Sequence, residues 1–372
     1  MPKALLIPKY DFTFWSIFRD PISSLHKRIK HYFRFINPSY ESLYYQKLGL
    51  FPNKIHFSVL GRIHPRYYQS VPNYQSSNPS GFGVEHIDGE LSLTNCENIV
   101  KKYDIILISR SNFSHSEGYW RAAKKLNKLI VIIDFEEDFY FYKDGYDAVR
   151  GLRHKEDFSL YFKNHLRLGY ADDFLLPLAP TPINLSMYKI DNVSEISDRK
   201  IDYFYSGIVD KSDTALNRQL LLENFKERTG AEINIISVDD HYNNKLHSIQ
   251  SLHQKMSNSK FILCPAGRAW QTIRHTTAGV FGCVPIVPFP DVETITFNAE
   301  DMKNGIYYEM LYNKTEIEKK KIIQDLLEKL DEIKNNHYML SDISNTWHGQ
   351  VVQDHTTVKR AEYLINNILA KY

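Results

Sequence analysis

The stretch MSNSKFILCPAGRAWQTIRHTTAGVFGCVPIVPFPD, Met256 to Asp291, decides the fold class. Its centre reads as strand, turn, helix and strand. KFILCP is a short run that is apolar on both faces, as a strand inside a parallel sheet must be. Pro265 and Gly267 then break the run. WQTIRHTTAGVFG has helical spacing, and CVPIVP repeats the buried-strand pattern. Strands joined through a helix lie parallel, because the crossover returns the chain to the same end of the sheet. Ligands in open parallel sheets collect beyond the carboxyl ends of the strands. The turn and helix start in PAGRAWQTIR therefore face the expected site.

Working backwards, IDYFYSG reads as a strand and turn, TALNRQLLLENFKERTG as a helix closed by a glycine, EINIIS as a strand and HSIQSLHQKMSNS as a helix. Four buried strands with three helices between them describe a doubly wound sheet. Earlier in the chain the same grammar appears. DIILIS (Asp104 to Ser109), the helical YWRAAKKLNK with Ser116 as N-cap, and LIVIID (Leu129 to Asp134) form a β-α-β unit. Between the halves, Leu175 to Lys200 carries three prolines and a polar run, and reads as a linker. GRIHPRYYQSVPNYQSSNPSGFG, rich in Pro, Gly, Ser and Asn, reads as a substrate-facing loop, and LYFKNHLR as a helix with Lys163 on its surface. The expectation is an α/β chain of two Rossmann-like domains facing a cleft. The first spans 1–190 and the second 200–350. The tail, 351–372, is a helix that crosses back onto the first domain.

The composition fits that reading. Of 372 residues 43% are hydrophobic, which suffices for two packed cores and excludes a disordered chain. The 46 Lys and Arg balance 44 Asp and Glu, so the net charge is only +2, against a dedicated nucleic-acid binder. Cys96, Cys264 and Cys283 are scattered, without CxxC or metal-ligand spacing, as suits a reducing compartment. The longest apolar runs, Leu129 to Ile133 and Ala278 to Phe289, are far shorter than the ~20 residues of a membrane span. A cytoplasmic protein is expected. HKRIKHYFRF, His26 to Phe35, interleaves cations and aromatics and is compatible with peripheral contact at the inner face of an anionic membrane. Aromatic residues make up 13% of the chain, which suits packing against sugar C–H faces and also suits an AT-rich genome.

Three strand-end loops of the second half carry the chemistry. SGIVDKSDTALNR holds Gly207, Lys211 and Arg218. PAGRAWQTIR holds Gly267, Arg268 and Arg274. PIVPFPDVETITF holds Asp291 and Glu293, carboxylates that can take hydroxyls. A glycine turn at a helix N-terminus with flanking Arg binds a diphosphate without any metal. In the first half, the candidate general bases at strand ends or in loops are Glu117, Asp134, Glu136, Asp88 and His86, with Glu117 first because SHSEG follows a strand and opens a helix. The only DxD-like run is FEEDF, and no metal site is expected.

Met256 to Asp291 resembles the donor-site segment of glycosyltransferases with the two-domain GT-B fold, and most closely the exostosin-like group. The matching residues are Ser259, Phe261, Leu263, Pro265, Gly267, Arg274, Ala278, Gly282, Cys283, Pro285, Ile286 and Val287. Phe204, Gly207 and Arg218 are similar to the opening of the same donor domain. The resemblance implies a nucleotide-sugar co-substrate, no further cofactor, and a role for Arg274 and Arg268 in stabilising the diphosphate leaving group. It also implies transfer to a hydroxyl of a glycan, glycolipid or protein acceptor, expected to proceed with inversion. The family places an acid three positions after the Arg, whereas this chain has Thr277. That departure supports the alternative of a non-catalytic GT-B relative that binds a nucleotide or glycan as a partner subunit.

Overall fold

The computed structural model describes residues 3–7, 83–86, 93–109, 117–134, 158–180, 182–183, 185, 188, 195–208, 213–236, 249–267, 270, 273–295 and 303–372. Two parallel sheets organise them. The first contains β1 (Lys3–Ile7), β2 (Gly83–His86), β3 (Ile105–Ser109), β4 (Leu129–Asp134), β5 (Leu160–Lys163) and β6 (Leu175–Pro177), in the order β2-β1-β3-β4-β5-β6. The second contains β7 (Ile201–Ile208), β8 (Glu232–Ile236), β9 (Ser259–Leu263), β10 (Val284–Pro288) and β11 (Ile306–Tyr308), in the order β11-β10-β9-β7-β8. Every pairing within them is parallel.

Period-two alternation divides each sheet's side chains between two cores. On one face of the first sheet, Ile106, Ile108, Ile130 and Ile132 meet Cys96 and Val100 of α1 (Leu93–Val100) and Tyr119, Ala122 and Ala123 of α2 (Glu117–Lys125). On the other face, Ile105, Leu107, Val131, Ile133, Leu160 and Phe162 meet Leu364, Ile365 and Ile368 of the last helix, α8 (Thr357–Lys371). The C-terminal helix thus crosses back to cover the first sheet.

Among the described residues, five helices cover the second sheet. Here α3 (Asp213–Thr229) and α6 (Glu316–Asn335) pack on the face bearing Tyr203, Tyr205, Phe261 and Leu263. The opposite face, with Phe204, Ile262 and Cys264, takes α4 (Ile249–Ser257), α5 (Ile273–Val280) and α7 (His337–Asp354). Gly230, with φ of +67°, ends α3 in the left-handed conformation that favours glycine. Thr315 and Glu318 form a capping box that starts α6. Among the described residues no helix is long and apolar enough to cross a membrane.

Two sequence expectations need correction. Leu175 to Pro177 are not linker but β6, the edge of the first sheet, so the passage between sheets begins at Leu178. LYFK is a fully buried strand rather than a helix surface, and Lys163 lies at its end with no exposure. Gly83 of the expected loop opens β2, while the remainder of that loop, His26 to Phe35, Asp88 and Glu136 lie outside the described residues.

Backbone bonds join the halves. Leu168 N donates to the Asp291 carbonyl at 3.1 Å, and Glu293 N to the Leu166 carbonyl at 2.6 Å. Ile295 N bonds the Ala179 carbonyl at 2.7 Å, and Ile183 N the His355 carbonyl at 2.8 Å. The buried Arg360 guanidinium donates to the Pro180 carbonyl at 2.7 Å, which ties α8 to the passage between sheets.

Candidate active site

The carboxyl ends of β7 and β9 are neighbours, and their following helices leave to opposite faces of the sheet: α3 after β7, α5 after β9. Such a switch point leaves a crevice into which backbone N–H groups and side chains from both loops can project. Arg274, the second residue of α5, reaches across it. Its Nε donates to the Ser206 carbonyl at 2.8 Å, and its guanidinium lies over the Tyr205 ring, 4.8 Å from the centroid. The two terminal nitrogens have no hydrogen-bond partner among the described residues.

Gly207 sits beneath that guanidinium. A Cβ at this position would overlap the Arg274 tip. The glycine is required for that close approach, since its backbone does not adopt the left-handed conformation. Arg218, on α3, uses Nε and Nη2 to donate to the Ala266 carbonyl at 3.1 and 2.9 Å, and so braces the turn after β9. Gly267 is buried in that turn. Beside it opens a cleft walled by Arg218, Leu221, Pro265, Gly267, Pro288 and Tyr308. Lys211 and Arg268 lie outside the described residues.

Thr277 occupies the position at which the family resemblance leads one to expect an acid. It is buried, and its hydroxyl donates to the Ile273 carbonyl one turn back at 2.8 Å. The Tyr188 hydroxyl lies 3.5 Å from it. Tyr188 in turn stacks on His253, with ring centroids 4.7 Å apart, and burial pushes its phenol pKa up. Asp291 and Glu293 are placed at the junction of the halves. Glu293 Oε1 accepts from Gly169 N at 2.6 Å. Burial raises the Asp291 carboxyl, against a backbone N–H and Arg167, which lower it, and its Oδ1 has no hydrogen-bond partner among the described residues.

In the first half, Glu117 is the first residue of α2. Asp134 ends β4 with no exposure, 3.0 Å from Lys163 Nζ, and accepts from the Tyr161 hydroxyl at 2.5 Å. That carboxylate is thus already engaged by two donors in the interior. His165, also fully buried, has its pKa lowered to about 3 by burial and by Lys163, against the opposing pull of Asp134. His86 lies in β2.

Sequence reading missed Tyr205, Ser206 and Tyr188. The first two adjoin Gly207 in FYSG, so the signal was present as an aromatic next to a glycine turn. Tyr188 carried none, because its contacts to His253 and Thr277 are made far along the chain.

The chain matches no protein-family model. It also matches no curated protein by sequence. Solved structures do resemble it. HepE from Anabaena, in complex with UDP, superposes with a TM-score of 0.53 at 8% identity, covering 100% of both chains. Sucrose-phosphate synthase from Thermosynechococcus elongatus gives 0.47 at 10% identity, again over 100% of both. TarM gives 0.42 at 10% identity over 74% of this chain, which spans 58% of TarM's length. The HepE likeness shows the fold: two parallel-sheet α/β halves in the GT-B arrangement.

Proposed function

We propose that the chain is a glycosyltransferase that moves a sugar from a nucleotide-diphosphate donor to a hydroxyl of a glycan, glycolipid or protein, without metal and with inversion. One observation carries the reading: Arg274 is oriented at a switch point with two terminal nitrogens uncommitted among the described residues. A paired N–H fork fits two phosphate oxygens, and it stabilises the charge that grows on the leaving diphosphate as the glycosidic bond breaks. The N-terminus of α5 adds its N–H groups to the same place. Arg218 acts by holding the Ala266 turn in shape.

Inversion needs a base that takes the proton of the acceptor hydroxyl as it attacks the anomeric carbon. Glu117, at the start of α2 in the opposite half, is our choice, since Asp134 is consumed by Lys163 and Tyr161. The exostosin-like grouping rests on the run Gly282, Cys283, Pro285, Ile286 and Val287 and on the spacing from Gly267 to Arg274. A cytoplasmic location, at the inner face of the membrane, accords with glycolipid acceptors. HepE was solved with UDP, which puts UDP-sugars first among the donors to test.

Thr277 favours a second reading, a non-catalytic relative that binds a nucleotide or glycan, because its closed hydroxyl offers no carboxylate to a ribose diol. Calorimetry with UDP-, GDP- and ADP-sugars, followed by an assay of donor hydrolysis, separates the two. Transfer predicts binding with turnover, and loss of both in Arg274→Ala with the thermal transition retained. Binding without turnover by any donor supports the second reading, and unchanged turnover in Arg274→Ala sinks the first.

A further inference from the structure

Three consecutive residues of β7 handle one arginine that arrives from another helix. Tyr205 lies under the guanidinium face, the Ser206 carbonyl takes Nε, and Gly207 leaves the space that the tip fills. An arginine side chain carries about 2 kcal/mol of rotamer freedom that must be lost before its fork can meet a phosphate in fixed geometry. The Nε bond alone leaves rotation about that bond direction open, and a flat aromatic surface closes it. Tyr205 has no exposure, so the surface is itself fixed by the core between the second sheet and α3. Its hydroxyl is buried and has no hydrogen-bond partner among the described residues. Neither hydrogen bonding nor solvent contact by the hydroxyl explains the residue, whereas the ring face explains an aromatic side chain here.

We infer that Tyr205 is a positioning residue of the donor site: its ring, not its hydroxyl, holds the Arg274 fork pre-aimed at the diphosphate. The inference rests on the reading of Arg274 as the phosphate ligand. An attraction between a guanidinium and an aromatic face is worth about 0.5–2 kcal/mol, which corresponds to roughly a few-fold to thirtyfold in affinity.

The test uses the full chain and whichever of UDP, GDP and ADP the wild type binds most tightly, with the matching nucleoside as control. Tyr205→Phe keeps the face and is expected to bind the diphosphate within about twofold of wild type. Tyr205→Leu and Tyr205→Met lose the face, and are expected to bind it about tenfold more weakly while nucleoside affinity stays constant. The methionine variant fills more of the ring's space and serves if the leucine variant does not fold. A loss shared equally by nucleoside and diphosphate indicates a role in packing alone and overturns the inference. So does full diphosphate affinity in Tyr205→Met alongside a weakened Arg274→Ala. If Arg274→Ala itself binds the diphosphate normally, or the wild type binds none of the three, the donor-site reading fails first and the inference goes with it.

Discussion

At the level of single residues, the site turns on steric room rather than on the number of cations. Gly207→Ala introduces a methyl group where the Arg274 tip now lies. The backbone there is one that alanine adopts freely, but the methyl would also press on the buried Tyr205 hydroxyl, so the chain should fold with a lowered melting temperature. The arginine must then withdraw, and nucleoside diphosphate affinity should fall about tenfold or more, the equivalent of one 1.4 kcal/mol step. Calorimetry reads this directly, and wild-type affinity in the alanine variant would refute the arrangement. The place of Arg274 near the start of the helix after β9 was legible in the sequence, because the Pro-x-Gly turn divides an apolar strand run from a helical run. The distinct task of Arg218 was not legible, because its acceptor, the Ala266 carbonyl, is reached only once β7 and β9 pair. Lys163 was misread for a related reason. Lysine is normally a surface residue, and its burial depends on Asp134, which sits beside it only through the pairing of β4 with β5.

At the level of elements, α8 does for the first sheet what a domain's own helices do elsewhere. Ile365 and Ile368 are nearly inaccessible and lie against Ile105, Val131 and Phe162. Ile365→Ala or Ile368→Ala should each destabilise the protein by about 2–5 kcal/mol through lost burial and the cavity left behind. Urea unfolding followed by tryptophan fluorescence measures it, and a change below about 0.5 kcal/mol, typical of an exposed site, would remove α8 from the core. The strands β3, β4, β7, β8, β9 and β10 were readable as short, mainly apolar runs, and α2, α3, α4, α5 and α8 as helical stretches. β5, β11 and α7 were not. β11 is only three residues, and β5 ends in a lysine. The 18-residue α7 hides its apolar stripe of Leu340, Ile343, Trp347 and Val351 among His, Ser, Asn and Gln. Its Trp347 stacks on His275 at 4.5 Å, a partner that no local pattern announces.

For the whole molecule, acid should weaken each half and the contact between them together. His165 lies in the first half, His275 in the second, and His355 where α7 meets α8 beside the passage between the sheets. Burial lowers the first two to about 3 and takes His355 well below its ordinary value, with Lys163 adding to the effect at His165, and Arg360 and His275 adding to it at His355. These rings are neutral in the folded chain and take up protons only when it unfolds. Their contribution is therefore complete above an unfolded pKa of about 6.5 and is lost as pH falls toward the folded values. Each such ring steepens the loss by up to about 1.4 kcal/mol per pH unit within that window. Urea midpoints measured at pH 7, 6 and 5 should fall progressively, and carboxylates will contribute little until the lower end of that range. The Coulombic partners differ, so the variants separate the sites: His165→Gln and His275→Gln should each flatten the profile between pH 6 and 5, whatever their stability at pH 7. A midpoint that is the same at pH 7 and pH 5, or profiles in both variants as steep as the wild type's, would mean that these rings are protonated in the fold and that the interior around them is more polar than its apolar neighbours imply.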